Sequence, residues 1–211
     1  DREDAMNIDM IRAAARRLEG HVRRTPLLNS PFLDDIAGRR VWVKPECLQH
    51  TGSFKFRGGW SAVSALEPSV RAKGVIAFSS GNHAQGVAYA AKLHGVPAVI
   101  IMPADAPRLK IANTRALGAE VVLYDRMTED RDAIGAAMAK ERELTLIKPF
   151  DDPLVIAGQG TTGLEIAQQA AEAVRGFIAR TGADEIVFGG SMFDGEARCR
   201  SLRLAMSALG S

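Results

Sequence analysis

Cysteine, tryptophan, tyrosine and histidine are scarce in this 211-residue chain, with two, two, two and four copies respectively. Cys47 and Cys199 are too few and too far apart for a disulfide framework, which fits a reducing cytoplasm. None of the four histidines pairs with a second ligand type at zinc spacing, so no metal site is expected. No apolar run approaches the roughly 20 residues that span a bilayer. The first residues, Asp1-Arg2-Glu3-Asp4, are charged where a secretory signal would be apolar. The formal net charge is only +2 and the basic residues are scattered, which argues against nucleic acid or a membrane surface as partner. What is left is an ordinary globular mixture, 46% hydrophobic and 25% charged, long enough for one large domain or two small ones.

Periodicity then orders the chain. Ile8, Ile11, Ala15 and Leu18 recur at helical spacing, and Gly20 is placed to end that helix. Thr25-Pro26-Leu27-Leu28 is extended, because the residue before proline is pushed away from helix. Residues 41–43 read as a short strand. From Gly74 onward short apolar runs at 75–78, 98–102, 121–124, 144–147 and 186–188 read as strands. Helical patterns at 82–94, 109–117, 130–143 and 163–180 separate them. This alternation, with continuously apolar strands, predicts an α/β fold with a parallel sheet covered on both faces.

Three stretches carry chemistry. Thr51-Gly52-Ser53-Phe54-Lys55-Phe56-Arg57-Gly58-Gly59 places one lysine at the mouth of a helix. The helix dipole disfavours a cation there, and burial beside Phe54 and Phe56 adds to it, so a lowered pKa and a nucleophilic amine are expected. Ser79-Ser80-Gly81-Asn82-His83-Ala84-Gln85-Gly86 joins a strand to a helix. Read alone it is as good an N-cap as an anion site built from free backbone N–H groups. In Ile156-Ala157-Gly158-Gln159-Gly160-Thr161 the glycines fit a tight turn into a helix, with Thr161 as its cap.

The Ser-Phe-Lys-x-Arg-Gly segment resembles the Schiff-base segment of the fold-type II pyridoxal-phosphate enzymes, the threonine and serine dehydratases and serine racemases. Arg24-Thr25-Pro26-Leu27, the Lys44, Glu46 and Gln49 pattern, the serine-rich loop and the Gly158-Gln159-Gly160-Thr161 segment follow that family's order. The resemblance implies two open, mostly parallel sheets flanked by helices, as in tryptophan synthase β. A large cofactor domain would comprise 1–51 and 149–211, and a smaller inserted domain 52–148.

It further implies pyridoxal 5'-phosphate as cofactor, with Lys55 as the Schiff-base lysine and Phe54 packed nearby. Asn82 would bind the ring oxygen, and Gly189 and Gly190 the phosphate. Ser79, Ser80, Gly81, Asn82 and His83 would hold an amino-acid substrate, with Lys55 and Ser80 catalytic on opposite faces and His83 mainly shaping the loop. Arg57 is expected to be structural. The implied reaction is β-elimination of L-threonine or L-serine to a 2-oxo acid and ammonia. Serine racemase and hydroxyaspartate dehydratase are the alternatives within the class, and an inactive remnant that only binds a ligand or a partner subunit is the alternative outside it. A nucleotide-binding Rossmann domain is disfavoured because no Gly-x-Gly-x-x-Gly follows the first strand. Where the family has a run of three or four glycines, this chain reads Gly189-Gly190-Ser191-Met192-Phe193, and Asp194 and Glu196 just beyond would repel a phosphate. The large domain is expected to be incomplete, with strand edges that favour a homo-oligomer, dimer or tetramer.

Overall fold

A computed structural model describes residues 6–181. Gly189, Gly190 and the strand expected at 186–188 lie outside the described residues. The chain divides into two compact units, 1–161 and 162–211, and the second is described only as the continuation of one helix.

Helix α1, Ile8–Leu18, starts where Asn7 caps it, its side chain accepting from the N–H groups of Asp9 and Met10. Gly20 ends it at φ 74°, a left-handed conformation that glycine adopts without a Cβ penalty. Strands β1, Leu28–Asn29, and β2, Trp42–Val43, form an antiparallel pair. Helix α2, Pro31–Ala37, connects them. Two 3₁₀ turns, Glu46–Leu48 and His50–Gly52, lead into α3, Lys55–Ala65, and α4, Pro68–Lys73, follows. The lysine therefore opens its helix, as expected. The short helices α2 and α4 were not foreseen, although each begins with proline in its first turn, where its missing N–H costs nothing.

The second half of this unit is a parallel sheet. Its strands are β3, Val75–Phe78, β4, Ala98–Pro103, β5, Glu120–Tyr124, and β6, Thr145–Leu146. Helices α5, Asn82–His94, α6, Arg108–Ala116, and α7, Arg131–Glu141, cross between them. Strand order is β5-β4-β3-β6, all neighbours parallel. Alternate residues serve opposite faces. Val75, Ala77, Ala98, Ile100 and Met102 pack with the buried side of α3 and α5. Ile76, Phe78, Val99 and Ile101 pack with Ile134 and Met138 of α7. Being buried on both faces is why β3 and β4 carry no polar residue. Among the described residues the second sheet consists of the antiparallel β1–β2 pair.

Helices α3 and α5 cross where glycine meets glycine. A Cβ on Gly86 would lie 2.9 Å from the carbonyl carbon and oxygen of Lys55, and one on Gly59 would lie 2.9 Å from the same atoms of Gly86. Only backbone blocks the way, so no side chain can yield. Gly86→Ala must therefore push the helices apart and is expected to cost about 1–3 kcal/mol, the usual range for overpacking. Gly135→Ala in α7, where an added Cβ meets only ordinary contacts at 3.4 Å and beyond, should be neutral or slightly stabilising. Urea denaturation of the two variants checks the contrast.

Helix α8 corrects the sequence reading. It runs Pro153–Thr181, beginning ten residues before the expected 163. Its cap is Asp152, whose Oδ1 accepts from the N–H groups of Leu154 at 2.9 Å and Val155 at 3.1 Å. Gly158 and Gly160 lie inside the helix rather than in a turn, and Thr161 is no cap. A Cβ on Gly158 would lie 2.5 Å from the Arg57 carbonyl oxygen and 2.6 Å from Ser61 Cβ, so this glycine lets the start of α8 lie against α3.

Candidate active site

In this sheet the chain moves outward from β3 to β4 to β5 and then returns to the other side of β3 as β6. The carboxyl ends of β3 and β6 thus diverge into loops on opposite sides, and ligands of open α/β sheets settle in that crevice. The serine-rich loop leaves β3 there, and the segment 147–152 leaves β6.

Lys55 reaches this crevice from α3. Its Nζ donates to the carbonyl of Pro149 at 3.1 Å and lies 5.4 Å from the centre of the Phe54 ring. The side chain is half-buried, and burial lowers its pKa from the ordinary lysine value. The expected direction of shift is therefore present, with desolvation as its cause. Phe54 is itself 39% exposed, leaving an open aromatic face beside the amine.

The loop before α5 turns on a hydrogen bond from Gly81 N–H to Ser79 Oγ at 3.1 Å. Ser80 and Asn82 are exposed, Ser79 and Gly81 half-buried. No side chain caps α5, so its first N–H groups remain available to an anion.

His83 is buried, 3% exposed, and its Nε2 meets the Ile147 carbonyl at 3.1 Å. A carbonyl accepts only, so Nε2 carries the proton and Nδ1 is left unprotonated and without a partner. Residues 147 and 149 thus hold His83 and Lys55 from one segment. This fits a loop-shaping histidine. Burial pushes the His83 pKa down and the nearby Lys55 charge adds to that, while the Ile147 hydrogen bond and Asp152 oppose it. Burial also lowers His50 and His94, first among their causes.

A histidine with a depressed folded pKa stabilises the fold fully above its unfolded value of about 6.5, and that stability is lost as pH falls through the lower folded value. The urea midpoint should therefore drop as pH falls below about 6.5, and His83→Asn should flatten the drop. An unchanged pH slope in that variant would assign the acid sensitivity to His50 and His94 instead.

A buried polar network fixes the start of α3. Arg57 is fully buried and forks onto Glu46, Nε to Oε2 at 2.8 Å and Nη2 to Oε1 at 2.9 Å. Thr25 Oγ1 donates to the same Glu46 Oε1 at 2.7 Å. Arg57 Nη1 donates to Thr161 Oγ1 at 3.3 Å, and Thr161 in turn donates to the Gly158 carbonyl at 2.6 Å. Lys44 Nζ donates to the Thr25 carbonyl at 2.7 Å, and Gln49 Nε2 to that of Arg23 at 2.7 Å. Four of the motifs noted in sequence thus converge on one arginine.

The structure therefore brings Lys55, Phe54 and residues 79–83 to one crevice, while Gly189 and Gly190 are outside the described residues. Sequence reasoning missed the Ile147 and Pro149 carbonyls, which no side-chain pattern could signal. It also missed Lys110 of α6, whose Nζ lies 3.0 Å from where a Cβ on Gly81 would be. A cleft of about 610 Å³ bordered by Arg23, His50, Gln85, Tyr89 and Asn113 opens nearby, and neither Lys55 nor residues 79–83 line it. Among the described residues there is no cluster of three metal-ligating side chains, and no helix is long and apolar enough to cross a membrane.

A half-buried lysine at the switch point of a parallel α/β sheet, beside an uncapped helix N-terminus, has the chemistry to receive a carbonyl compound that carries negative charge. Comparison with known proteins narrows this. Residues 18–193 match the family of pyridoxal-phosphate dependent enzymes, and the chain belongs to it. L-threo-3-hydroxyaspartate ammonia-lyase of Pseudomonas sp is 53% identical over 160 residues, 76% of this chain and 50% of that protein. L-threonine ammonia-lyase of Thermotoga maritima is 43% identical over 163 residues, 77% of this chain and 41% of that protein. The solved structure of maize serine racemase superposes with a TM-score of 0.77 at 39% identity, covering 80% of this chain and 51% of that one. The chain spans about half the length of the relatives it matches.

The described residues fit the family's cofactor, pyridoxal 5'-phosphate. A lysine must be neutral to attack an aldehyde, and burial favours that state at Lys55.

Proposed function

We propose that the protein catalyses β-elimination from a hydroxy-amino acid, L-threonine or L-serine, giving a 2-oxo acid and ammonia. The observation that carries this reading is the Lys55 amine, its pKa lowered by burial, held at the crevice beside the loop 79–83. When bound, pyridoxal 5'-phosphate supplies the electron sink for the carbon that loses its proton. Lys55 Nζ would hold the cofactor and would take the proton from the substrate Cα. Residues 79–83 and the first N–H groups of α5 would bind the substrate carboxylate, and Asn82 would hold the ring oxygen of the cofactor. Water leaves with the β-hydroxyl and returns in hydrolysis of the enamine, so the balance is one hydroxy-amino acid to one 2-oxo acid and one ammonia.

Two other outcomes share this site. Ser80, exposed on the loop, can return a proton from the face opposite Lys55, which gives racemisation. Elimination from a 3-hydroxyaspartate is favoured by the 53% identity to a protein of that activity, against 43% to a threonine enzyme. The division into 1–51 with 149–211 and 52–148, a cytoplasmic location and a homo-oligomeric state belong to the same proposal, supported by family membership and the motif order.

The test is the visible absorption spectrum of the protein with added pyridoxal phosphate, followed by borohydride reduction and peptide mapping. A stable long-wavelength band with the adduct on Lys55 is expected. No band, or an adduct spread over surface lysines, overturns the reading.

A further inference from the structure

Among the cations around the sheet edge Lys110 stands apart. Arg126 pairs with Asp105, Arg142 with Glu120 and Lys73 with Glu143, all near the surface. Lys110 is half-buried, and among the described residues its ammonium has no hydrogen bond or ion pair. A cation without a partner among the described residues is open to an anion from outside the chain.

Its position says which anion. The distal half of the side chain lies along Gly81, with Nζ 3.0, Cδ 3.8 and Cε 4.0 Å from the place of a Cβ there. Glycine at 81 keeps that approach open. The loop 79–83 and the uncapped start of α5 already provide N–H groups for the α-carboxylate common to every amino acid. A second positive group beside them is surplus for serine and badly matched to the methyl of threonine, but it complements a second carboxylate.

We propose that Lys110 is the specificity-determining residue of this site and receives the β-carboxylate of a hydroxylated dicarboxylic amino acid. This rests on the reading of Lys55 and residues 79–83 as the amino-acid site.

The experiment compares the full-length protein, loaded with cofactor, with its Lys110→Gln and Lys110→Arg variants. Lys110→Gln should raise KM for 3-hydroxyaspartate about tenfold or more, the size of one charge-assisted hydrogen bond, and change KM for serine less than about twofold. Lys110→Arg should keep most of the preference. A second readout needs no turnover. Succinate, whose two carboxylates have the two-carbon spacing of 3-hydroxyaspartate and which has no amine to engage the cofactor, should bind the wild type at least about tenfold tighter than Lys110→Gln by calorimetry, while acetate distinguishes them little. A parallel rise in KM for both substrates would make Lys110 a partner of the α-carboxylate and overturn the proposal. Equal succinate affinity would overturn it as well. If borohydride traps nothing on Lys55, the cofactor reading fails, and the succinate titration still decides for or against Lys110.

Discussion

Lys55→Ala is expected to abolish the borohydride-stable adduct on this residue and, on the proposed function, to lower turnover of a hydroxy-amino acid by at least about 10³-fold. The estimate follows from what the amine does. In the proposed reaction it attaches the cofactor and transfers the Cα proton, and positioned proton transfer alone contributes about 10²–10⁴-fold. The fold should survive, because the side chain is half-buried and makes one hydrogen bond, to a carbonyl that water can reach instead. Lys55→Arg sharpens the point. Guanidinium can still donate to Pro149 but stays protonated and cannot attack an aldehyde. Added methylamine should restore part of the activity of the alanine variant and none of the arginine variant, where the space is filled. The pH dependence has a definite sign. Burial depresses the lysine pKa, so the neutral fraction, and with it the rate of adduct formation in the wild type, should rise with pH and level off below the ordinary lysine value of about 10.4. Substantial turnover by Lys55→Ala without added amine would remove Lys55 from the mechanism.

How much of this was legible in sequence depended on whether the signal was local. Strand 75–78 and helix 82–94 came out with their observed bounds, because an apolar run buried on both faces and a glycine-flanked helix declare themselves within a few residues. The start of α8 did not. Gly158 and Gly160 look like punctuation when glycine is judged by its neighbours in sequence. In the fold Gly158 answers to Arg57 and Ser61, about a hundred positions away, and the helix runs through it. The pair Gly59 and Gly86 is the same case, since the contact that requires them exists only once α3 and α5 have crossed. In the site, the side chains were readable by type and order, while the carbonyls of Ile147 and Pro149 were not. Any residue has a carbonyl, and only the sheet order places those two opposite His83 and Lys55.

Arg57→Met should be the most destabilising single change in the described fold, at about 3–5 kcal/mol, the range for removing one partner of a buried ion pair. The cost is mainly that of the carboxylate left behind. Glu46 is 9% exposed and would keep only the Thr25 hydroxyl, having lost both guanidinium contacts. The double variant Glu46→Gln with Arg57→Met should then be more stable than Arg57→Met alone, because an amide is far cheaper to bury than an unpaired charge. Urea denaturation of the two single variants and the double one gives the coupling directly. If the effects simply add, the two residues do not act as a pair in the folded protein. The consequence for the site follows from distance along the chain. Arg57 lies two residues after Lys55, on the first turn of α3, and ties that turn to the 23–25 segment, to Glu46 and to Thr161 of α8. Loosening it should weaken adduct formation on Lys55 beyond what the fraction of folded protein explains, since the amine is aimed at Pro149 only while the start of its helix is held.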